Sequence, residues 1–384
     1  MRIVVTGLRG MPGIMGGVES HCDELLPRIK ALRPQADIIV LGRTPYVSAQ
    51  AVDFAGITVK GVRTIRSSSL EAITGTLSAI VHARFLGADL LHIHAIGPAI
   101  GAPFARLLGM RVIVTHHGAD YNRGKWGRFA KTMLRLGEAA ALRFARIVIC
   151  VSPSLRAKLA QTYPRAQAEL TYIPNGVPSA GAESDTAADD RANAVLAEHG
   201  MVRGKFLLAV GRLVPEKGFD TLIEAVRRLP AETRLLIVGG SEHRSAYADR
   251  LLELADDHIR FAGALPRAVV HRLYAAASTF VLPSLHEGLP ISALEAARFG
   301  APVLLSDIDA NLDLGLSPKN YFPVGDANAL MERLSQAQPV PLVDGMALCE
   351  RFDWNIIAAD TLAAYDRVLG GNAHRAVIEP DGDR

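Results

Sequence analysis

Along the chain, short runs of β-branched and aliphatic residues alternate with longer stretches of helical periodicity, the pattern of parallel α/β units. Residues 3–6, 38–41, 90–94, 112–115 and 147–151 are predicted strands, with helices predicted over 19–32, 70–85, 100–108 and 129–144. The runs at 90–94 and 111–115 are apolar enough to be central strands covered on both faces. A second series of strands is predicted at 206–210, 234–238, 259–261, 279–282 and 302–306. Between the two series lie a turn-forming group, IPNGV at 173–177, and a polar Ala/Asp-rich stretch at 179–191 that reads as a surface loop. Residues 353–369 form a last amphipathic helix, and 370–384 read as a frayed polar tail. The order predicts an α/β protein with two successive Rossmann-like domains, 1–175 and 176–355, meeting near residue 175.

Composition agrees with two domains: 384 residues, 49% hydrophobic and 21% charged, make an ordinary globular balance. Cys22, Cys150 and Cys349 are far apart with no C-x-x-C spacing, which excludes a disulfide framework or zinc ribbon and suits a reducing cytoplasm. The N-terminus breaks at glycine too early for a signal peptide, and no apolar run approaches a membrane span, so a cytoplasmic, soluble protein is expected. Charge changes the picture. Residues 1–175 carry 22 Lys and Arg against 10 Asp and Glu, whereas residues 176–384 carry 20 against 29. A basic half beside an acidic half points to an anionic partner for the first. With aromatics at only 6% and no dense basic tract, that partner is expected to be a phosphate-linked substrate or an anionic membrane surface, not nucleic acid.

Four constellations carry candidate chemistry. The loop at 7–17, GLRGMPGIMGG, joins the first strand to the first helix, and its glycines allow a ligand to approach the backbone beside a helix N-terminus. It lacks G-x-G-x-x-G spacing, and it also reads as a plain connection. After the strand at 206–210, Gly211 and Gly218 bound a loop holding Arg212 and Lys217, a planar fork and a point charge suited to clamp a diphosphate. After the strand at 279–282, Glu287 precedes a helix opening near Pro290, and Glu295 lies about two turns on, a span of at most ~12 Å. Free N–H groups at that helix start favour a diphosphate between the carboxylates. Last, His116 and His117 follow a first-half strand, where one imidazole can donate to a phosphate or sugar hydroxyl. His92 and His94, inside an apolar strand, read as structural.

Two other chemistries are weaker. Tyr121 and Lys125 have the Y-x-x-x-K spacing of short-chain dehydrogenases, with Arg43 where an NADP-preferring arginine sits, but Gly124 and Gly127 break the helix that would align them. Asp307 and Asp309 form a D-x-D placed after a second-half strand, and no zinc motif occurs, so neither metal nor cofactor is expected.

Taken together, these residues resemble the retaining GT-B glycosyltransferases with an E-x7-E motif, over about residues 1–370. Glu287 and Glu295 match the motif within EGLPISALEAARFGAPV, Arg212 and Lys217 match GR-x4-KG, and Gly16 and Gly17 match GG-x-E. His117 and Gly118 match T-x-HG, and 173–177 matches the interdomain hinge. The opening RG-x-P and the segment from Asp120 to Gly127 are similar to bacterial polysaccharide enzymes of the rhamnosyltransferase type, with Met15 where those often carry an aromatic. The resemblance implies two sheets facing across an interdomain cleft, with the last helix (356–370) crossing back to the first domain. It implies that Glu295 binds the donor ribose, Glu287 binds the transferred sugar, and Gly211, Gly288, Leu289, Pro290 and Ile291 present backbone near sugar and diphosphate. Arg212 and Lys217 would neutralise the leaving diphosphate in place of a metal, and His117 would assist. A polyprenyl-diphosphate-linked glycan or the inner membrane leaflet is the implied partner of the basic first half, beginning with Arg123, Lys125 and Arg128. A nucleotide-sugar 2-epimerase and a non-catalytic sugar-nucleotide-binding subunit are the alternatives on the same architecture.

Overall fold

In β1 (Arg2–Thr6), Ile3 and Val5 pack on one face and Val4 on the other, all fully buried, so this strand lies inside a sheet covered on both sides. The computed structural model describes residues 1–14, 16–44, 46–65, 71–119, 121, 127–177, 186–240, 245–336 and 338–370. Around β1 the first domain assembles β2 (Asp37–Arg43), β3 (Val52–Phe54), β4 (Ile57–Val62), β5 (Leu90–His94), β6 (Arg111–His116), β7 (Ile147–Cys150) and β8 (Glu169–Tyr172). Their order is β3-β4-β2-β1-β5-β6-β7-β8, parallel except for the β3–β4 hairpin. The second domain holds β9 (Phe206–Val210), β10 (Arg234–Val238), β11 (Ile259–Gly263), β12 (Thr279–Leu282), β13 (Val303–Ser306) and β14 (Tyr321–Phe322) in the parallel order β11-β10-β9-β12-β13-β14.

These orders decide where a site can form. In the first sheet the chain winds outward through β2 and β4, then crosses back to β5 on the other side of β1. In the second it winds from β9 through β10 and β11, then crosses to β12. Each reversal leaves a crevice at the carboxyl ends of two neighbouring strands, β1 with β5 and β9 with β12. All four candidate loops of the sequence leave from these strands or from the adjacent β6.

Several elements differ from the sequence expectation. The hairpin β3–β4 was absent from it because its two-residue turn is Ala55-Gly56, both at positive φ (52° and 75°), a primed turn that Asn-Gly would have signalled. The expected loop at 179–191 is helical in its second part, Thr186–Glu198, where Ala188, Ala192, Val195 and Leu196 are buried; 178–185 lie outside the described residues. Residues 98–101 form a tight turn before the helix Ala102–Leu107, and the tail beyond 370 is also outside the described residues.

The last helix, Trp354–Leu369, packs against Gly17–Leu32 of the first domain. Arg33 holds Asp366 through two bonds, at 2.5 and 2.8 Å. Its Tyr365 is fully buried, with the hydroxyl 2.8 Å from Nδ1 of buried His92, whose Nε2 meets the Thr115 hydroxyl at 2.7 Å. Tyr365→Phe strands a buried imidazole nitrogen, so it is expected to cost about 1–3 kcal/mol in chemical denaturation. An unchanged denaturation midpoint would show that this bond contributes nothing.

Candidate functional site

Leaving β9, the chain turns through Gly211 and Arg212 and reaches Lys217 in a short helical turn, Pro215–Lys217. Leaving β12, it runs through Ser284 to Glu287 and enters the helix Ile291–Arg298. The two loops are stitched together: the Leu285 N–H donates to the Glu216 carbonyl at 2.9 Å. Lys217 Nζ donates to Glu287 Oε1 at 2.5 Å, and the Ser284 hydroxyl donates to the same oxygen at 2.6 Å. Arg212, half-buried beside them, makes no side-chain hydrogen bond or ion pair among the described residues, so its guanidinium is open to a ligand. Residues 70 apart in sequence therefore form one cationic and carboxylate cluster.

Pro290 sits one position earlier than the first turn expected for it. It is the N-cap residue, and Ile291 opens the helix. Glu295 is only 8% exposed. Arg267 Nε donates to its Oε1 at 2.9 Å and the Tyr274 hydroxyl to Oε2 at 3.4 Å. The same guanidinium reaches Glu24 of the first domain at 2.7 Å, so Arg267 ties the helix Ile291–Arg298 to the helix Gly17–Leu32. Burial alone would raise the Glu295 carboxyl, but His271 and Arg267 hold it below its ordinary value.

Opposite, the 7–17 loop folds onto its own acids. Glu19 accepts from the Arg9 N–H at 3.0 Å and from its guanidinium at 3.1 Å, and Asp23 accepts from the Gly13 N–H at 3.0 Å. Gly16, at φ 157°, lies where a Cβ would overlap Glu19 Oε2, while Gly17 is exposed with open space around it. At the end of β6, His116 Nε2 lies 3.0 Å from buried Glu138, and its Nδ1 accepts from the Gly118 N–H at 3.2 Å. That loop touches the other domain directly: a Cβ on Gly288 would stand 1.9 Å from the His117 carbonyl oxygen. Asn175 of the hinge bridges the cleft floor, with Nδ2 donating to the Leu289 carbonyl at 3.3 Å and Oδ1 2.9 Å from His21 Nδ1. The Leu289 carbonyl is thus engaged within the protein.

The tertiary structure therefore gathers His117, Gly118 and Gly288 at one contact and Lys217 with Glu287 at another. Arg128 stands apart from these contacts, exposed at the start of the helix Arg128–Phe144, and Arg123 and Lys125 lie outside the described residues. Sequence reasoning missed Arg267, Glu24, Ser284, Glu138, His21 and Asn175. Asn175 and Ser284 lie in stretches the sequence singled out but were given no role there; the other four carry no motif, and only the fold brings them to the cleft.

Two outcomes follow. Gly288→Ala forces a backbone apart at the domain contact, so turnover should fall at least tenfold in a nucleotide-release assay while the melting temperature stays near wild type. Full activity would mean that the contact is dispensable. For Glu295, a folded-state pKa below the ordinary 4.5 means stabilisation that is present above that pH and lost as pH falls through the folded value. Glu295→Gln should then melt lower than wild type at neutral pH, with the gap closing as pH falls below the ordinary 4.5. A gap that is constant across that range would remove the charge from the explanation.

Comparison with known families places both halves. Residues 197–337 match the family described as glycosyl transferases group 1, and residues 15–180 match glycosyltransferase family 4. A GDP-mannose-dependent alpha-(1-6)-phosphatidylinositol monomannoside mannosyltransferase of Mycobacterium tuberculosis is 29% identical over 315 residues, covering 76% of this chain and 77% of that protein. Sucrose-phosphate synthase from Thermosynechococcus elongatus shares the fold at TM-score 0.76 and 21% identity, over 96% of this chain and 99% of the other. Anabaena HepE in complex with UDP and glucose does so at TM-score 0.73 and 19% identity, over 96% and 100%. With two facing Rossmann-like sheets and a glycosyltransferase family match on each side of the cleft, the chain is a glycosyltransferase of GT-B fold, its second half matching group 1.

Proposed function

We propose that this glycosyltransferase moves a sugar from a nucleotide-diphosphate sugar to a lipid-linked glycan in the synthesis of a cell-surface polysaccharide, retaining the donor's anomeric configuration. The observation that carries the reading is the cluster of Lys217, Glu287 and open Arg212 at the β9–β12 switch point, where ligands of open parallel sheets bind. Breaking the anomeric C–O bond leaves charge on the diphosphate, and Arg212 and Lys217 stabilise it where it develops, without a metal. Glu287 keeps one oxygen bonded to Lys217 and Ser284, so it acts as a fixed acceptor for sugar hydroxyls and not as a proton donor. Glu295, ionised and buried, accepts from the ribose hydroxyls in company with Arg267. Gly16, Gly17 and Gly211 and the backbone from Gly288 to Ile291 line the donor, and His117 meets the sugar. The attacking acceptor hydroxyl enters on the face the diphosphate leaves and passes its proton to the departing phosphate oxygen, so no glutamate serves as nucleophile. The mannosyltransferase that uses GDP-mannose and the HepE complex with UDP support a nucleotide-sugar donor.

For the acceptor, the support is the helix Arg128–Phe144. No helix among the described residues is long and apolar enough to cross a membrane. This one instead exposes Phe129 (74%) and Leu136 (49%) among Arg128, Lys131, Arg135 and Arg143. Two cations stand in its first turn with no acid, which opposes the helix dipole and suits an anionic surface. With Arg123 and Lys125 just before it, the face is assigned to a polyprenyl-diphosphate head group at the inner leaflet, and the enzyme to the cytoplasmic side.

Thermal melting with UDP, dTDP and GDP and their sugars tests the donor. A ligand at 100 times its Kd stabilises by about 2.7 kcal/mol. One nucleotide family should raise the melting temperature of wild type and fail to do so in Glu295→Ala, while Arg212→Ala and Lys217→Ala lower turnover at least tenfold. No shift with any nucleotide, or wild-type turnover in all three variants, would overturn the assignment.

A further inference from the structure

Three imidazoles from three separate elements meet beneath the cleft. His21 lies in the helix Gly17–Leu32, His94 ends β5, and His117 follows β6. Each places a ring nitrogen within 4.8 Å of the other two. Nδ1 of His94 and Nε2 of His117 share a hydrogen bond at 3.0 Å, which a bound ion would replace, the shared proton moving to the outer nitrogen of its own ring. A tetrahedral ion holding imidazoles at about 2.0–2.1 Å sets its ligand nitrogens roughly 3.3 Å apart. Small ring rotations therefore close the set, with no movement of the strands.

The hydrogen bonds around His21 settle its tautomer. Asn175 Nδ2 donates to the Leu289 carbonyl, so Asn175 Oδ1 is an acceptor and His21 must donate from Nδ1. The remaining nitrogen, Nε2, then carries a lone pair. It is buried, and no group among the described residues donates to it; Nε2 of His94 is likewise without a partner among them. Leaving a buried acceptor unmet costs about 1–3 kcal/mol. An imidazole whose far N–H is pinned by an amide oxygen is how proteins hold a histidine on a metal. Burial also pushes all three rings well below their ordinary pKa, so at neutral pH each is uncharged and keeps one lone pair. Three nitrogens with no carboxylate in the set favour zinc-class ions over magnesium or calcium, which take oxygen.

We propose that His21, His94 and His117 form a binding site for a divalent transition-metal ion of the zinc class, with Asn175 as the positioning residue that orients His21. Neutral ligands bind without releasing a proton, and half-buried His117 provides the way in from the cleft. The site uses neither Arg212 nor Lys217, so the ion is not the partner of the diphosphate. On the donor reading above, it withdraws His117 from the sugar, which makes the loaded protein a poorer binder of nucleotide sugar.

The test needs neither donor nor acceptor. Full-length protein without an affinity tag, stripped by a chelator, is titrated with Co2+. A single equivalent should bind with the visible absorption of four-coordinate Co2+, and Zn2+ should bleach it. His21→Gln and His94→Gln should abolish the band, and Asn175→Ala should weaken binding by about 10–100-fold. Because the buried variants can misfold, His117→Ala at the half-exposed position is the control. A folded His117→Ala protein without the band supports the site. Absence of the band in wild type, or its survival in His117→Ala, overturns the proposal even if nucleotide sugars bind as expected.

Discussion

Backbone meets backbone where the two domains close. A Cβ on Gly288 would stand 1.9 Å from the His117 carbonyl oxygen, and one on Gly118 would stand 3.1 Å from Gly288 Cα. The rest of the cleft depends on that contact. Parallel sheets present their loops at one edge only, so two such sheets build a shared site only if those edges face each other at short range. Glycine on both sides lets the peptides approach to a distance that side chains would forbid.

Polar ties hold the same closure. Arg267 belongs to the acidic half yet pairs with Glu24 of the basic half, while its other edge fixes Glu295. Asn175, in the connection between the domains, joins the first helix to the loop that follows β12. On the far side, Ser154 donates to Asp313 at 2.5 Å and binds it again through its N–H at 3.2 Å. These bonds hold the domains at three places around the cleft, so a ligand that enters Glu295's surroundings acts on a group already shared by both domains.

Much of this was legible in the residues. The strands of both sheets that flank the switch points were readable because buried parallel strands are continuous apolar runs, as at 90–94 and 279–282. The sequence put Glu287 and Lys217 in loops that each follow such a strand, but their pairing came only from the fold. Of the edge strands only β11 was readable. The β3–β4 hairpin turns on an alanine in the left-handed region, β8 is only half-buried, and β14 is two residues long. His94 reads as a packed core residue, and its ring is fully buried, yet it also meets His21 and His117.

By itself, the sequence determined the alternation of strand and helix, the division of charge, and the presence of cations and carboxylates at the ends of particular strands. Those are local properties, set by side-chain periodicity and by glycine and proline placement. Only the tertiary structure decided which groups share a carboxylate, which histidine nitrogen is left open, and that Arg267 spans the cleft. Such outcomes depend on distances between residues up to 243 positions apart. Chain periodicity carries no record of those distances, because strand order and domain closure set them.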